Sequence, residues 1–390
     1  MKSNFDEFIS RKNTGSYKWD GMYNEKLDVS NMTIPLSVAD MEFRSPNCLY
    51  EKLAEYIKTK PIFGYTGQTD EFLESVVNWN RKRHNWKIEK EWIVNTTGVV
   101  NAISASISAF SKENEGVIIF QPVYHPFVVS IEKLNRKVIN VPLINSNYHF
   151  YIDFDAFEEE AKKSENKILL FCSPHNPVGR VWTKDELKKL SDICLKNNLI
   201  VISDEIWNDL ICNGNTHTVF ASINDEIAER TIVCTAPSKT FNVAGLGFSN
   251  IIIKNKDLRE KFIGYAQKMG VNHVSMIGFK ACEILYNNCE EWLDEVIDVI
   301  CSNQKFVKDF FKDNCPKIKT NDPEGTYLMW IDFNALNKNR KELEKLLLNA
   351  DIFPSKGHVF GEEGEGYERF NVAIPRKNLQ YMLQNLVKFI

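Results

Sequence analysis

Apolar positions recur along the chain in two rhythms. Over residues 46–58, Leu49, Leu53, Tyr56 and Ile57 return at helical spacing, and a second helical stretch covers 69–83. After these come short apolar runs over 91–100, 117–120, 137–141, 167–173, 199–203 and 231–235, and one ending at Ile253. Each is too short for a buried helix and rich in β-branched residues, so each reads as a strand covered on both faces. Helical segments separate them: 101–110, 154–163, a helix reaching Asn197 that opens with Thr183 and Glu186 at capping-box spacing, then 257–269 and 275–286. Strand and helix in alternation predict an α/β domain whose mainly parallel sheet has right-handed crossovers and helices on its faces.

Beyond residue 286 the pattern changes. A long charged helix over 290–311 precedes strands over 326–333 and 368–373, with a helix over 341–349 between them. This predicts a smaller α+β domain. The N-terminal arm, with its aromatics and the strand-like segment 33–38, is expected to complete it. The expected division is a large domain over 46–285 and a small one assembled from 1–45 and 286–390. A chain of 390 residues is long enough for two cores.

Composition narrows the function. With a formal charge of −4 the chain has no bulk basic field, which argues against nucleic acid as a partner. Its nine cysteines form no Cys-x-x-Cys pair and no zinc-like cluster, so they read as reduced thiols, with no metal expected. No apolar run approaches the ~20 residues of a membrane span, and residues 1–8 lack an apolar signal core, so a cytoplasmic protein is expected.

Two charges are out of place in this pattern. Lys239 lies in the uncharged stretch 235–248, just past the apolar run 231–235. A lysine there either keeps a solvated tip or must become a neutral nucleophile, which desolvation favours. Asp204 and Glu205 follow directly on the apolar run 199–203. A Schiff-base lysine with an acid able to pair a pyridinium nitrogen is what pyridoxal phosphate (PLP) requires. A third feature is the turn at Gly98 and Val99 between a strand and a small-residue helix, which presents unpaired amides to an anion. In parallel sheets ligands collect beyond the carboxyl ends of strands, where Gly98, Tyr124, Asn176, Asp204 and Lys239 are all expected.

Four motifs carry a resemblance: Ser-Asp-Glu-Ile-Trp at 203–207, Ser-Pro-His-Asn-Pro-Val-Gly at 173–179, Pro-Val-Tyr-His-Pro-Phe at 122–127 and Ala-Pro-Ser-Lys-Thr-Phe-Asn at 236–242. Together they resemble the fold-type I PLP enzymes of the aspartate aminotransferase superfamily, and within it the cystathionine β-lyase and cysteine-S-conjugate β-lyase branch. The match runs from Trp19 to about Arg376. The resemblance implies a PLP-transferase fold and an enzyme of amino-acid metabolism with a small amino-acid substrate. It implies that Lys239 holds the cofactor, Asp204 pairs the pyridine nitrogen, Tyr124 stacks on the ring and Asn176 donates to the phenolic oxygen. Gly98, Val99 and Ser238 would cradle the phosphate, joined by Tyr65 from the other subunit of a homodimer with shared sites.

The substrate carboxylate is assigned by the same resemblance to Arg376, Asn176 and the backbone at Ala39; the bland alternative for Arg376 is a surface arginine at a helix start. Trp207 stands where a tyrosine is common, Gly247 where many aminotransferases place a phosphate-binding arginine, and His125 receives no role. The glycine at 247, a loss the branch with Ser-Lys-Thr-Phe-Asn tolerates, favours a lyase that releases thiol, pyruvate and ammonia over an aminotransferase. A PLP-binding regulator is the third and least favoured class.

Overall fold

The computed structural model describes residues 3–390. A seven-stranded sheet forms its centre. In chain order the strands are β1 (Ile93–Thr96), β2 (Gly116–Ile119), β3 (Lys137–Asn140), β4 (Asn166–Cys172), β5 (Ile200–Asp204), β6 (Thr231–Thr235) and β7 (Ser249–Ile252). They lie side by side in the order β1-β7-β6-β5-β4-β2-β3. All pairings from β3 across to β6 are parallel, while β7 runs antiparallel to both of its neighbours. The sheet is therefore mainly parallel and mixed.

Strand β4 shows why these runs are apolar on both faces. Its Ile168, Leu170 and Cys172 pack with Ile103, Phe127 and Phe262 from helices on one side. Leu169 and Phe171 pack with Phe157, Trp182 and Leu190 on the other. Because strand side chains alternate, a sheet covered twice needs apolar residues at every position. The flanking helices Asn47–Thr59, Asp70–His84, Val99–Phe110, Lys184–Lys196, Lys256–Lys268 and Met276–Asn288 fall close to the stretches expected from periodicity. The capping box forms: Thr183 Oγ1 accepts from Glu186 N–H at 3.2 Å, and the Glu186 carboxylate accepts from Thr183 N–H at 2.8 Å.

A second, four-stranded sheet is antiparallel and includes Leu328–Asp332 and Tyr367–Asn371. Its core takes Trp19, Met22, Ile34 and Leu36 from the N-terminal arm together with Val307, Phe311, Met329, Phe370 and Leu383. Segment 33–38 is not a regular strand, although Leu36 donates to Phe353 O and accepts from Asn371 N–H, both at 2.9 Å. Helix Glu290–Asn314 serves two cores, placing Trp292, Leu293, Val296 and Ile300 in one and Val307 and Phe311 in the other.

One cysteine expectation is corrected. Cys212 and Cys301 form a disulfide across a sequence separation of 89 residues, with Cα atoms 5.7 Å apart. The fold, and no local spacing, brings them together. Cys172 and Cys234 are free and buried in strands. Among the described residues, no helix is long and apolar enough to cross a membrane, and no cluster of three or more His, Cys, Asp or Glu side chains is placed to hold a metal.

Candidate active site

At the carboxyl ends of β4, β5 and β6 lies a cavity of about 580 Å³. Ala39, Gly98, Val99, Tyr124, Asn176, Asp204, Ser238 and Lys239 all line it. The topology thus gathers eight expected site residues from six separate stretches of chain.

Lys239 projects from the turn Pro237–Thr240, directly after β6. Its Nζ donates to Ala39 O at 2.6 Å and lies 5.7 Å from the centre of the Trp207 ring. Removal from water draws its pKa down from the usual lysine value to about 8, with Arg369 pushing the same way and the charges of Asp40 and Asp204 opposing. The turn is anchored by Asn242, a residue with φ of +57°. The Asn242 amide accepts from Met41 N–H at 2.9 Å and donates to Met41 O at 3.1 Å and Phe43 O at 2.8 Å. The N-terminal segment is thereby bound to the lysine turn.

Asp204 ends β5, between Cys172 and Cys234 of the neighbouring strands. Burial lifts its pKa to about 7, against the pull of Ile206 N–H, which Oδ1 accepts at 3.2 Å, and of Lys239. Successive strand side chains point to opposite faces, so the adjacent Glu205 turns away from the cavity. There it accepts from Ser203 Oγ at 2.8 Å and Phe220 N–H at 3.0 Å and lies 2.7 Å from His217 Nε2. Of two consecutive buried carboxylates, only Asp204 lines the cavity.

Gly98 precedes helix Val99–Phe110 with φ of +114°, a conformation glycine adopts freely, and no side chain caps the amino end of that helix. A Cβ at Gly98 would meet no atom within 4 Å, so the space in front of the helix is open. Ser238 and the half-buried Tyr124 face the same cavity.

Across the cavity stands an arginine the sequence reading did not single out. Arg369 is 4% exposed; its Nη1 donates to Asn176 Oδ1 at 3.0 Å and its Nη2 to Ser355 Oγ at 2.9 Å. Both partners are neutral, Nε has none among the described residues, and burial lowers the pKa to about 10. A buried guanidinium without a counter-ion invites an anion. Arg376, expected in this role, does not line the cavity. It opens helix Arg376–Val387, donates to Asn303 Oδ1 at 2.7 Å and Ser302 Oγ at 2.9 Å, and stacks on Phe306. The assignment to Arg376 is corrected: the turn after the strand directs it away, while Arg369 projects inward from mid-strand.

Other expected positions are modified in detail. The peptide bond Asn176–Pro177 is cis. Ala39 presents its carbonyl to Lys239 and to Tyr327 OH (2.8 Å), so only its N–H remains for a carboxylate. Val38 beside it is held at φ of +48°, a strained value for a β-branched residue, while Asn371 Nδ2 bonds the carbonyls of Val38 and Asp40 at 2.9 and 2.7 Å. Trp207 is buried and meets Tyr327 edge-on at 4.8 Å. Gly247 lines the cavity at φ of +55°, where an arginine would be strained. His125 is exposed at the cavity rim, and Tyr65 lies outside the cavity, fully exposed.

Comparison with known proteins agrees over nearly the whole length. The family model for aminotransferase class I and II matches residues 31–386. Cystathionine beta-lyase PatB of Bacillus subtilis is 36% identical over 98% of both chains. The crystal structure of cystalysin from Treponema denticola, which contains pyridoxal 5'-phosphate, superposes with a TM-score of 0.98 at 49% identity, covering 100% of this chain and 99% of its own. The PLP-bound C–S lyase of Staphylococcus hominis gives a TM-score of 0.91 at 29% identity over 100% of this chain and 98% of its own.

Proposed function

Since the chain belongs to the class I and II aminotransferase family, we propose that it is a PLP-dependent carbon–sulfur β-lyase. Its substrates are cystathionine or related L-cysteine S-conjugates and one water, and its products a thiol, pyruvate and ammonia. The observation that carries this reading is one cavity holding three displaced ionisable groups: a lysine drawn down to about 8, an aspartate lifted to about 7 and an arginine with no counter-ion. That donor set fits the cofactor. Lys239 supplies the amine to hold it, and Asp204 an oxygen that accepts no hydrogen bond from the described residues. The uncapped helix after Gly98 supplies amides for a phosphate.

Bound PLP supplies the electron sink that absorbs the pair left when an α-proton is removed. The protein's own groups do the rest. Asp204, as a carboxylate, would keep a proton on the pyridine nitrogen, Tyr124 would lie against the ring, and Ser238 would join the helix amides around the phosphate. Arg369 and Asn176, already bonded to each other, grip the substrate carboxylate in a planar fork. The Lys239 amine, neutral above about pH 8, would take the α-proton, and the substrate sulfur would leave the β-carbon as the thiolate.

Residues 57–71 are exposed throughout, with Ile62, Phe63 and Tyr65 at 80%, 66% and 109% exposure. Such a stretch suits burial against a second copy, which supports the homodimer in which Tyr65 reaches its neighbour's phosphate. The division at residues 46 and 285 and a cytoplasmic location complete the reading. Gly247, at a φ hostile to arginine, favours the lyase over the aminotransferase alternative. The deciding assay is pyruvate release from a panel of cysteine thioethers with and without keto acids. Steady release without an acceptor is expected; strict dependence on a keto acid would reverse the ranking.

A further inference from the structure

Behind the cavity is a carboxylate that the proposed reaction does not use. Asp209 is buried and does not line the cavity, yet it gathers donors from two other segments. Trp79 Nε1–H reaches Oδ1 at 3.1 Å, His84 Nε2 lies 3.0 Å from the same oxygen, and Thr240 Oγ1–H donates to Oδ2 at 2.7 Å. Trp79 and His84 belong to helix Asp70–His84. Thr240 is the residue after Lys239 and has no exposed surface. We propose that Asp209 is a positioning residue for Lys239, acting through the Thr240 hydroxyl; this rests on the reading of Lys239 as the residue that holds PLP.

The argument is one of leverage. A four-residue turn has too few internal hydrogen bonds to fix its own orientation, so the direction of Lys239 is set by what grips the turn on each side. On one side Asn242 ties it to the N-terminal segment through three hydrogen bonds. Thr240 and Asp209 tie the other side to a helix packed under the sheet. The aromatic rings confirm the direction of this second tie, since Phe241 packs on Trp79 at 5.6 Å between centroids and Trp79 donates to the same carboxylate. Without the hydroxyl the second tie keeps only the packing of Phe241, and the turn gains freedom to rotate about the Asn242 clamp. The amine would then spend less time in line with an incoming aldehyde carbon, and small misplacements of reacting groups are costly.

The test reads capture of the cofactor by apo-protein. PLP is added to resolved protein, samples are quenched with hydride at intervals, and the stable label on the Lys239 peptide is followed against time. Thr240→Val should slow labelling by about tenfold or more, while Thr240→Ser, which keeps the hydroxyl, should stay within about threefold of the wild type. Asp209→Asn should also stay close, because its amide can donate to the Thr240 oxygen while its carbonyl oxygen still faces Trp79 and His84. In turnover, Thr240→Val should lower kcat with little change in KM. Labelling of Thr240→Val at the wild-type rate would overturn the proposal and leave Asp209 a purely structural group. Should the valine variant not fold, Thr240→Ser against Thr240→Ala reads the same hydroxyl, and equal rates would overturn it equally. Wild-type protein that takes no label at Lys239 would instead fail the underlying reading.

Discussion

The two sheets contribute to the cavity in opposite ways. The large parallel sheet delivers its groups from turns beyond its strands: Lys239 after β6, Asn176 after β4, and Asp204 at the last position of β5. The small antiparallel sheet delivers Arg369 from the middle of a strand whose backbone is paired on both sides, opposite Trp330 on one flank and Ser355 on the other. Turn residues can be re-aimed by neighbouring segments, and Asn242 and Thr240 show such aiming. A mid-strand side chain takes its direction from the pleat and cannot relax. In the proposed reaction the group that moves the α-proton therefore sits on a turn, and the group that grips the substrate carboxylate sits within a paired strand.

This contrast is open to experiment. The largest effect is expected at the turn: Lys239→Ala should lower turnover by on the order of 10³-fold or more, because both attachment and proton removal are lost. Mixing that variant with Tyr65→Phe subunits should restore activity wherever subunits exchange, and failure to do so would remove Tyr65 from its neighbour's site. The second effect lies in stability. The folded pKa of Asp204, about 7, is raised above the ordinary 3.8, so its stabilising contribution is present in full below pH 3.8 and is lost as pH rises through 7. Across the whole window the loss is on the order of 4 kcal/mol, with about 2–3 kcal/mol of it between pH 5 and 8. Denaturant unfolding of apo-protein should therefore show a decline in the wild type that Asp204→Asn lacks. Equal slopes in the two proteins would mean that the carboxyl is ionised throughout.

Within the paired strand, Arg369→Ala should cost about 10²-fold in kcat/KM through the lost charged hydrogen bonds, and Arg369→Lys should recover only part of it. Arg376→Ala should change kcat/KM by less than about twofold, as a partly exposed helix-start residue would. A reversal of these two arginines would show that the small sheet presents a different face in solution.

The same contrast explains what could be read from the sequence. Lys239 and Asp204 were legible because a charge directly after an apolar run is anomalous wherever the fold places it. Gly98 was legible because a strand–glycine–helix turn has local chemistry. Arg369 had no such signature: it sits between Glu368 and Phe370, and its neutral partners Asn176 and Ser355 come from distant parts of the chain. Arg376 follows Pro375, which makes a helix start, so the more ordinary alternative weighed for it describes its surroundings. Short elements were lost for a related reason. The hairpin Ile144–Ser146 with His149–Tyr151 turns at Asn147 and Tyr148, with φ of +51° and +65°, and lacks the glycine that usually marks such a turn. The Cys212–Cys301 bond depends wholly on tertiary proximity.

Helix Glu290–Asn314 joins the two cores of the molecule in one rigid piece. Twenty-five residues of unbroken helix make a shaft of roughly 37 Å, and its two ends are sunk in different cores. The shaft cannot fold in the middle without breaking its own hydrogen bonds, and Cys301 pins it near its midpoint to the loop that carries Cys212. Arg369 and Ser355 belong to the small sheet and Lys239 and Asp204 to the large one, so this one helix braces together the two sides from which the cavity is built.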